Sequence, residues 1–425
     1  MRKTNRRAFL ALAGTTVLSA CGSNTVQTGG VQPGKPPPST AYSAGVTRPK
    51  PKPVDLTQWY HPYPEAGVQE AVTRYAAAYQ KSKVAVQWNP DDYETKLNAA
   101  LQAGPVPDVF EGQVTVERVR QNLLVPLDDV IGPVRGDFNP SVLAAQTVDG
   151  KTYGIPQALD TQVLFYRKSF LQEAGVQPPQ TLDELVDAAK KLSKDGVKGL
   201  FAGNDAGASA LAGPLLWSAG LDYVKDGKSV GFDDPRTATA FAKLHELNGS
   251  LLLGAATDWP DPLPFIDGLT AMQWTWLWNL PKIQDTVKDD FGVLAFPRLD
   301  AAGAPSVPVG GLSAMVHAKS LNPNAAKDFV KWLWLERVDF QQEFATRFGF
   351  HLPARLSVLD KVTAAGDAAK LVKENGRAAG PLWTPAANTA LVDALGRIAR
   401  DGADPATETK AAVEAVKAEL GRLSA

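Results

Sequence analysis

The sequence predicts an α/β protein with mostly parallel sheets, because segments that alternate like strands are repeatedly followed by segments with helical spacing. Its 425 residues, 44% of them apolar, can fill sizeable cores. At roughly 100–200 residues per domain, this length predicts two or three domains. The single cysteine excludes an internal disulfide framework and any zinc site built from several cysteines.

The first predicted elements follow one another in regular order. A strand is expected over 54–60, followed by a helix whose apolar residues over 68–79 share one face. A second strand is expected over 84–88. The next helix covers 93–103, and a short buried strand follows it over 107–110.

The later elements carry clearer end signals. Residues 153–156 and 163–166 are expected to be extended. Thr181 and Glu184 form the pattern of a capping box at the start of an amphipathic helix, for which Gly196 is the expected stop. Further helices are predicted by their apolar periodicity. They cover residues 325–335, 341–348, 388–400 and 409–423.

Charge and histidine content exclude several functions. The chain has 44 Lys and Arg against 45 Asp and Glu, which argues against a polybasic nucleic-acid binder. Eight of the basic residues lie in the first 53 positions, which contain no acidic residue, so the remainder is acidic. The four histidines show no metal-ligand spacing, and no cofactor motif occurs, so neither a metal nor a cofactor is expected. They are His61, His245, His317 and His351.

The N-terminus resembles an export signal followed by a lipid-attachment site. Basic residues precede an apolar run over 8–20, which is shorter than the roughly 20 residues that a membrane-spanning helix needs. Arg6 and Arg7 resemble a twin-arginine signal, but Asn5 departs from its usual Ser or Thr, so the general secretory route stays open. Residues 18–21 resemble a bacterial lipobox, in which Cys21 would receive the lipid. The alternative is an ordinary signal peptide with an incidental cysteine.

Residues 21–53 are predicted to be a disordered tether after the signal peptide of residues 1–20. They are rich in Pro, Gly, Ser and Thr and poor in large apolar groups, so they cannot bury enough surface to offset the entropy of ordering. A lipidated Cys21 would therefore hold the folded part at a distance from the bilayer.

Several segments of the folded part together resemble one protein family. Two of the most specific are Gly150-Lys-Thr-Tyr-Gly-Ile-Pro156 and Pro178-Pro-Gln-Thr-Leu-Asp-Glu184. The others cover 96–104, 107–110, 124–129, 163–168, 174–176, 268–272, 322–330 and 350–355. In this order and spacing they resemble the extracellular solute-binding proteins of ABC importers, specifically the sugar-binding family that includes maltose-binding protein. Arg167 departs from the family's usual Asn.

The resemblance implies a type II periplasmic-binding-protein fold, in which a ligand cleft separates two α/β lobes. The matching motifs assign 54–158 plus 313–350 to the N-terminal lobe and 160–311 plus 352–425 to the C-terminal lobe. Three segments near 155–161, 310–313 and 349–353 would cross between them. The expected partners are a sugar, the permease in the membrane and, through Cys21, the bilayer, outside the cytoplasm. The chain itself is expected to be a monomer.

A sugar cleft needs flat aromatic rings and polar groups of fixed direction. Burying a ring face of roughly 100 Å² is worth on the order of 2–3 kcal/mol, and a hydrogen bond nets only about 0.5–1.5 kcal/mol. Trp59 and Tyr63 lie at the end of the first predicted strand, where ligands of open α/β sheets bind. Glu111 and Gln113 follow a later strand in the same way. The competing interpretations are core packing for Trp59 and a solvated loop end for Glu111.

Further candidates come from the crossings and from tryptophans. Asp160 matches a ligand-binding carboxylate of the family, although it could instead fix the hinge. Trp274, Trp276 and Trp278 alternate, so all three rings would share one face if the strand continued. Trp278 best matches the family's stacking position, and core packing is the alternative for each. The remaining candidates are Trp217, Trp383, Gly311 and Arg355.

Other functions remain open at this stage. A binding protein of the same fold could take a polyamine, an iron complex or a phosphodiester. No catalytic motif points to an enzyme, but some glycosidases need only two carboxylates. A surface lipoprotein with a structural or sensory role is a third alternative.

Overall fold

The computed structural model describes residues 54–103, 106–348, 351–363 and 365–424. The predicted export signal, the lipidation site Cys21 and the tether therefore lie outside the described residues. Within them, no helix combines the length and the apolar character needed to cross a bilayer.

Sixteen strands are formed by the described residues. In chain order, β1 to β16 are Val54–Tyr60, Ser82–Trp88, Val109–Gly112, Thr147–Val148, Lys151–Thr152, Ile155–Pro156, Ala158–Tyr166, Lys198–Phe201, Val224–Lys225, Ser229–Val230, Thr270–Trp276, Gly292–Leu294, Val307–Gly310, Ser313–Val316, Leu352–Pro353 and Gly376–Arg377.

The same residues form seventeen α-helices, besides short 3₁₀ turns and a π-helical turn over Trp332–Glu336. In chain order, α1 to α17 are Val68–Ala78, Tyr93–Ala103, Val116–Arg120, Asp128–Ile131, Pro140–Ala144, Lys168–Glu173, Leu182–Leu192, Ala212–Ser218, Pro235–Leu247, Leu263–Ile266, Leu280–Val287, Pro323–Lys331, Val338–Thr346, Leu356–Leu359, Gly366–Asn375, Pro385–Asp401 and Pro405–Ser424.

Two separate sheets organise these elements. The first has the strand order β2-β1-β3-β14-β6, and the second has β16-β13-β7-β11-β8, with β12 and β15 also paired to β7. Leu56 and Tyr60 of β1 belong to the same buried apolar cluster as Val163 and Phe165 of β7. The apolar core is therefore continuous where the two sheets meet.

The expectation of mostly parallel sheets is wrong. Strands β1, β2 and β3 run parallel, but β14 is antiparallel to β3 and β6, and β7 is antiparallel to all four of its neighbours. The physical reason is that the chain returns to each sheet through segments that cross from the other. A strand formed by such a segment runs antiparallel to the strands of that sheet that are connected through helices.

Two passages of the chain between the sheets are tight. Strand β6 ends in the first sheet at Pro156, and β7 begins in the second at Ala158. Strand β13 ends in the second sheet at Gly310, and β14 begins in the first at Ser313. Gly311 lies in this link with φ of 125°, and a Cβ added there would lie 2.4 Å from the carbonyl oxygen of Ala158. Only glycine fits this position without strain.

The best local prediction is the capping box of α7. The Oγ1 of Thr181 accepts the backbone N–H of Glu184, and the Glu184 carboxylate accepts the backbone N–H of Thr181. The predicted apolar stripe is buried along the helix. The helix ends at Leu192, and Gly196 lies in the turn beyond it with φ of 86°.

Candidate functional site

Two cavities meet at the backbone of the crossing segments. The first, about 410 Å³, is lined by side chains that include His61, Tyr63, Glu65, Asp160, Trp278 and His351; we call it the histidine cavity. The second, about 590 Å³, is lined in part by residues of the segment 378–383, which connects β16 to α16. We call this segment the strap and the cavity beside it the strap cavity. Both cavities are lined by Ala158, Gly311 and Leu312. They are therefore neighbours at the junction of the two sheets.

A buried carboxylate organises one wall of the histidine cavity. Glu111 is 1% exposed, and its Oε1 accepts the backbone N–H of His61 at 2.8 Å and also the Nδ1–H of the same residue. Its Oε2 accepts the hydroxyl of Tyr63 at 2.8 Å. Burial raises the pKa of Glu111, against the lowering effect of His61. For His61, burial acts to lower the pKa, but the hydrogen bond and charge of Glu111 outweigh it and raise it.

A second histidine lies between two carboxylates. The Nδ1 of His351 donates to Oδ1 of Asp160, and its Nε2 is 3.6 Å from Oε1 of Glu65. Burial opposes the charged imidazole, but the two carboxylates raise the pKa of His351 to about 9. The pKa of Glu65 is lowered, because His351 outweighs the raising effect of burial. His351 is therefore an imidazolium at neutral pH.

Three indoles form a stack beside this ion cluster. The rings of Trp276 and Trp278 are 4.4 Å apart and nearly parallel, and Trp259 stacks on the other side of Trp276 at 5.5 Å. Trp278 is 37% exposed and lines the histidine cavity, with its ring 6.4 Å from that of His351. One indole of the stack is thus an open platform, and the two behind it support it.

The condition under which Trp274, Trp276 and Trp278 would share one strand face is not met. Strand β11 ends at Trp276, and Trp278 lies in the 3₁₀ turn that follows. Trp274 is fully buried, where its Nε1 donates to Gln162 and its ring packs edge-on against Phe296.

The strap cavity has a different chemistry. Gln113 is exposed and lines it, and Trp383, which also lines it, stacks on Tyr223 with ring centroids 4.2 Å apart. Arg118 also lines it, with a buried guanidinium that is paired with Glu94 at 2.5 Å. This cavity therefore offers polar groups and a tryptophan that is only partly buried.

Other predicted residues do not line either cavity. Trp59 is 9% exposed and packs in a core cluster, and Trp217 is 5% exposed with its indole N–H bound to Asp222. Arg355 is held by Asp137 and by the carbonyl of Leu335. Glu111 acts on the histidine cavity only through His61 and Tyr63.

The structure brings predicted and unpredicted residues together. Tyr63, Asp160, Trp278 and Gly311 line the histidine cavity, and Gln113, Gly311 and Trp383 line the strap cavity. Trp276 supports Trp278 from behind. The residues that the sequence did not single out are His61, Glu65, His351, Phe344 and Trp259. Two signals in the sequence could have indicated the two histidines. His61 directly follows the first predicted strand, and His351 lies in the family motif at 350–355.

The sequence is similar to a known family and to curated proteins. The sequence profile of the family described as bacterial extracellular solute-binding protein matches residues 62–336. The galactooligosaccharide-binding protein of Bacillus subtilis (strain 168) is 26% identical over 394 residues, which cover 86% of this chain and 89% of that protein. The lactose-binding protein of Rhizobium radiobacter is 23% identical, covering 70% of this chain and 74% of that protein.

Solved structures share the fold. The GacH receptor of Streptomyces glaucescens superposes with a TM-score of 0.70 at 24% identity, covering 87% of this chain and 99% of that chain. The sugar-binding protein MalE of Xanthomonas citri gives a TM-score of 0.73 at 20% identity, with 87% and 98% covered. At these identities the likeness concerns the fold alone.

Proposed function

The chain belongs to the bacterial extracellular solute-binding proteins, and we propose that it captures a carbohydrate, preferably an oligosaccharide, and delivers it to an ABC importer. The observation that carries the proposal is the histidine cavity. It combines an open indole face with polar side chains and lies where the two sheets meet. Curated relatives named for galactooligosaccharides, arabinooligosaccharides and lactose support the choice of solute class.

The chemistry of the cavity suits an uncharged solute rich in hydroxyls. The exposed face of Trp278 would cover the apolar C–H face of a sugar ring. Oδ2 of Asp160 accepts no hydrogen bond from the described residues, so it is free to accept a sugar hydroxyl. The ring would therefore provide most of the affinity, and Asp160 would select among sugars.

The pairing of the acidic groups argues against a cationic solute such as a polyamine. Asp160 and Glu65 already face the imidazolium of His351, and Glu111 is bound to His61. A polyamine would have to displace these partners at a cost in Coulomb energy. Among the described residues, no group of three or more His, Cys, Asp or Glu side chains is arranged to hold a metal ion.

Capture would proceed by closure of two lobes. We assign 54–158 plus 313–350 to one lobe and 160–311 plus 352–425 to the other, with the links at Gln157 and Gly311 and the crossing near 349–353 as hinges. A sugar that contacts both lobes favours the closed state only by the contacts that it gains there. The shape of the closed form is then what the permease recognises. We assign the chain the role of a monomeric binding protein rather than an enzyme.

The location follows from the family and from the N-terminus. Family members act outside the cytoplasm, and this chain does so too. We further propose that Cys21 carries a lipid anchor and that residues 21–53 tether the folded part to the membrane. A twin-arginine or general secretory signal over residues 1–20 would direct export.

The test is a tryptophan-fluorescence titration of the full-length chain. The panel contains galactooligosaccharides, arabinooligosaccharides, lactose and maltose, with putrescine and glycerophosphocholine as non-sugar solutes. A saturable change with at least one sugar, without any change to that sugar in the recovered solution, supports the proposal. Saturation with a non-sugar solute alone, or release of sugar products, contradicts it.

A further inference from the structure

The ion cluster around His351 joins parts of the chain that belong to different sheets. Glu65 lies in the connection between β1 and α1, next to the first sheet. Asp160 is a residue of β7, and His351 immediately precedes β15, which pairs with β7 in the second sheet. The imidazole thus stands between a carboxylate of the second sheet, Asp160, and a carboxylate beside the first sheet, Glu65.

The two contacts of His351 differ in quality. The Nδ1 makes a short hydrogen bond to Oδ1 of Asp160, whereas the Nε2 remains 3.6 Å from Oε1 of Glu65. The Nε2 of His351 and the Oε2 of Glu65 are both buried, and neither has a hydrogen-bond partner among the described residues. A buried polar group without a partner is costly, and a shift of less than about 1 Å would bring the Nε2 and Oε1 to hydrogen-bond distance.

The hydrogen bond from Nδ1 of His351 also restricts the orientation of the Asp160 carboxylate. With Oδ1 occupied by His351, the carboxylate cannot rotate freely, and Oδ2 is the oxygen left for another donor. Asp160 and His351 both line the histidine cavity, with the exposed ring of Trp278 beside them. A hydroxyl donor in that cavity would therefore meet an acceptor of fixed direction.

We infer that His351 is a positioning residue for sugar capture, which orients Asp160 toward the sugar and closes onto Glu65 when the two sides of the cavity approach. The inference rests on the proposed function, because it concerns the same cavity. The new element is that the imidazolium of His351 couples closure of the cavity to the orientation of the Asp160 carboxylate. Glu65, which the sequence did not single out, is the residue on the opposite side that completes the contact.

The coupling has a definite pH dependence. The other titratable side chains in the histidine cavity are His61 and Tyr63, and both are hydrogen-bonded to the buried Glu111. The bond to Asp160 persists when the cavity is open, whereas the contact with Glu65 tightens only on closure. The pKa of His351 is therefore higher in the closed form, so affinity is greatest at low pH and falls as pH rises through about 9. Because only one of the two contacts changes, we expect a loss of about three- to tenfold between pH 7 and pH 10.

The experiment measures the dissociation constant of the tightest-binding panel sugar by calorimetry at several pH values from 6.5 to 10. It uses the full-length chain and its variants H351Q, E65Q and the double variant. H351Q and E65Q should each weaken binding at pH 7 and flatten the pH dependence, and the double variant should be no weaker than the worse single variant. H245Q is the matched control, because His245 lies on α9 against the carbonyl of Ala399 and lines neither cavity. It should bind like the unaltered chain.

The outcomes separate this inference from the proposed function. If the unaltered chain binds none of the sugars, the proposed function fails, and this inference fails with it. If the unaltered chain binds but H351Q retains the same affinity and pH dependence, the inference alone is overturned. If H351Q is unfolded by circular dichroism, E65Q decides in the same way, because Glu65 is a partly exposed loop residue whose loss leaves the bond to Asp160 intact.

Discussion

Trp278 is the residue on which the affinity for sugar is expected to depend most. Its ring is the exposed end of a stack of three indoles. Trp278→Ala removes about 100 Å² of contact with a sugar face and should cost about 2 kcal/mol, or about thirtyfold in the dissociation constant. Calorimetric titration with the best sugar measures this loss.

Two further variants give that measurement its controls. Trp278→Phe keeps a smaller flat ring and should recover part of the affinity. Trp332→Ala removes a half-buried indole that packs on Tyr79 and Phe329 away from both cavities, so it should lower stability without changing affinity. Equal affinities for Trp278→Ala and the unaltered chain would show that the platform does not bind the sugar.

Gly311 is expected to be indispensable for the link between β13 and β14. Gly311→Ala places a Cβ 2.4 Å from the carbonyl oxygen of Ala158 at a φ of 125°. The backbone must shift, and the free energy of unfolding should fall by about 2 kcal/mol or more. Urea unfolding followed by circular dichroism measures the change.

The adjacent glycine provides a matched control. A Cβ added at Gly310 meets no atom within 4 Å, so Gly310→Ala should be close to neutral. A similar loss of stability in both variants would mean that the crowding at Gly311 does not determine the effect.

The sequence indicated some residues of the candidate site but not others. Asp160 and Trp278 could be proposed because motifs align them with a family pattern, and both line the histidine cavity. Glu65 and His351 are separated by almost 290 positions, and nothing in either segment indicates that they approach each other. Trp217 is buried and lines neither cavity, and tryptophan content alone does not separate a platform from a core residue.

Helix α7 offers a test at the scale of a single element. Its capping box satisfies backbone groups at the N-terminus, so Thr181→Ala should cost about 1 kcal/mol of stability. The control is Thr389→Ala, where the hydroxyl of an exposed helical threonine bonds only the carbonyl of Pro385. Thermal unfolding compares them, and equal melting temperatures for the two variants would contradict the role of the cap.

The elements that the sequence predicted best are those with strong local signals. The helices around residues 93–103 and 182–192 have clear apolar periodicity, and their observed bounds are Tyr93–Ala103 and Leu182–Leu192. Two-residue strands such as β15 and β16 have no periodicity to detect. Strand direction could not be deduced either, because it depends on where the chain crosses between sheets.

At the scale of the whole molecule, the proposal requires a change in shape. Sugar that contacts both lobes should shift the population toward a closed form with a smaller radius of gyration. Small-angle X-ray scattering with and without saturating sugar measures this. Trp278→Ala should show the same decrease only at proportionally higher sugar concentration, and no decrease in the unaltered chain at saturation would contradict closure.

The two-sheet architecture could not have been deduced from residue patterns alone. The first sheet combines strands from residues 54–112 with β6 and β14, and most of the second sheet lies between them in the sequence. No linker marks this interleaving, because the chain passes between sheets within one or two residues. The resemblance to a family supplied what local signals lacked.

The most direct test of the account is a crystal structure of the chain with its best-binding panel sugar. It should show a sugar ring in the histidine cavity against the face of Trp278, with a hydroxyl bonded to Oδ2 of Asp160. The Nε2 of His351 should lie within hydrogen-bond distance of Glu65. A sugar bound elsewhere, with the face of Trp278 uncovered, would contradict the account.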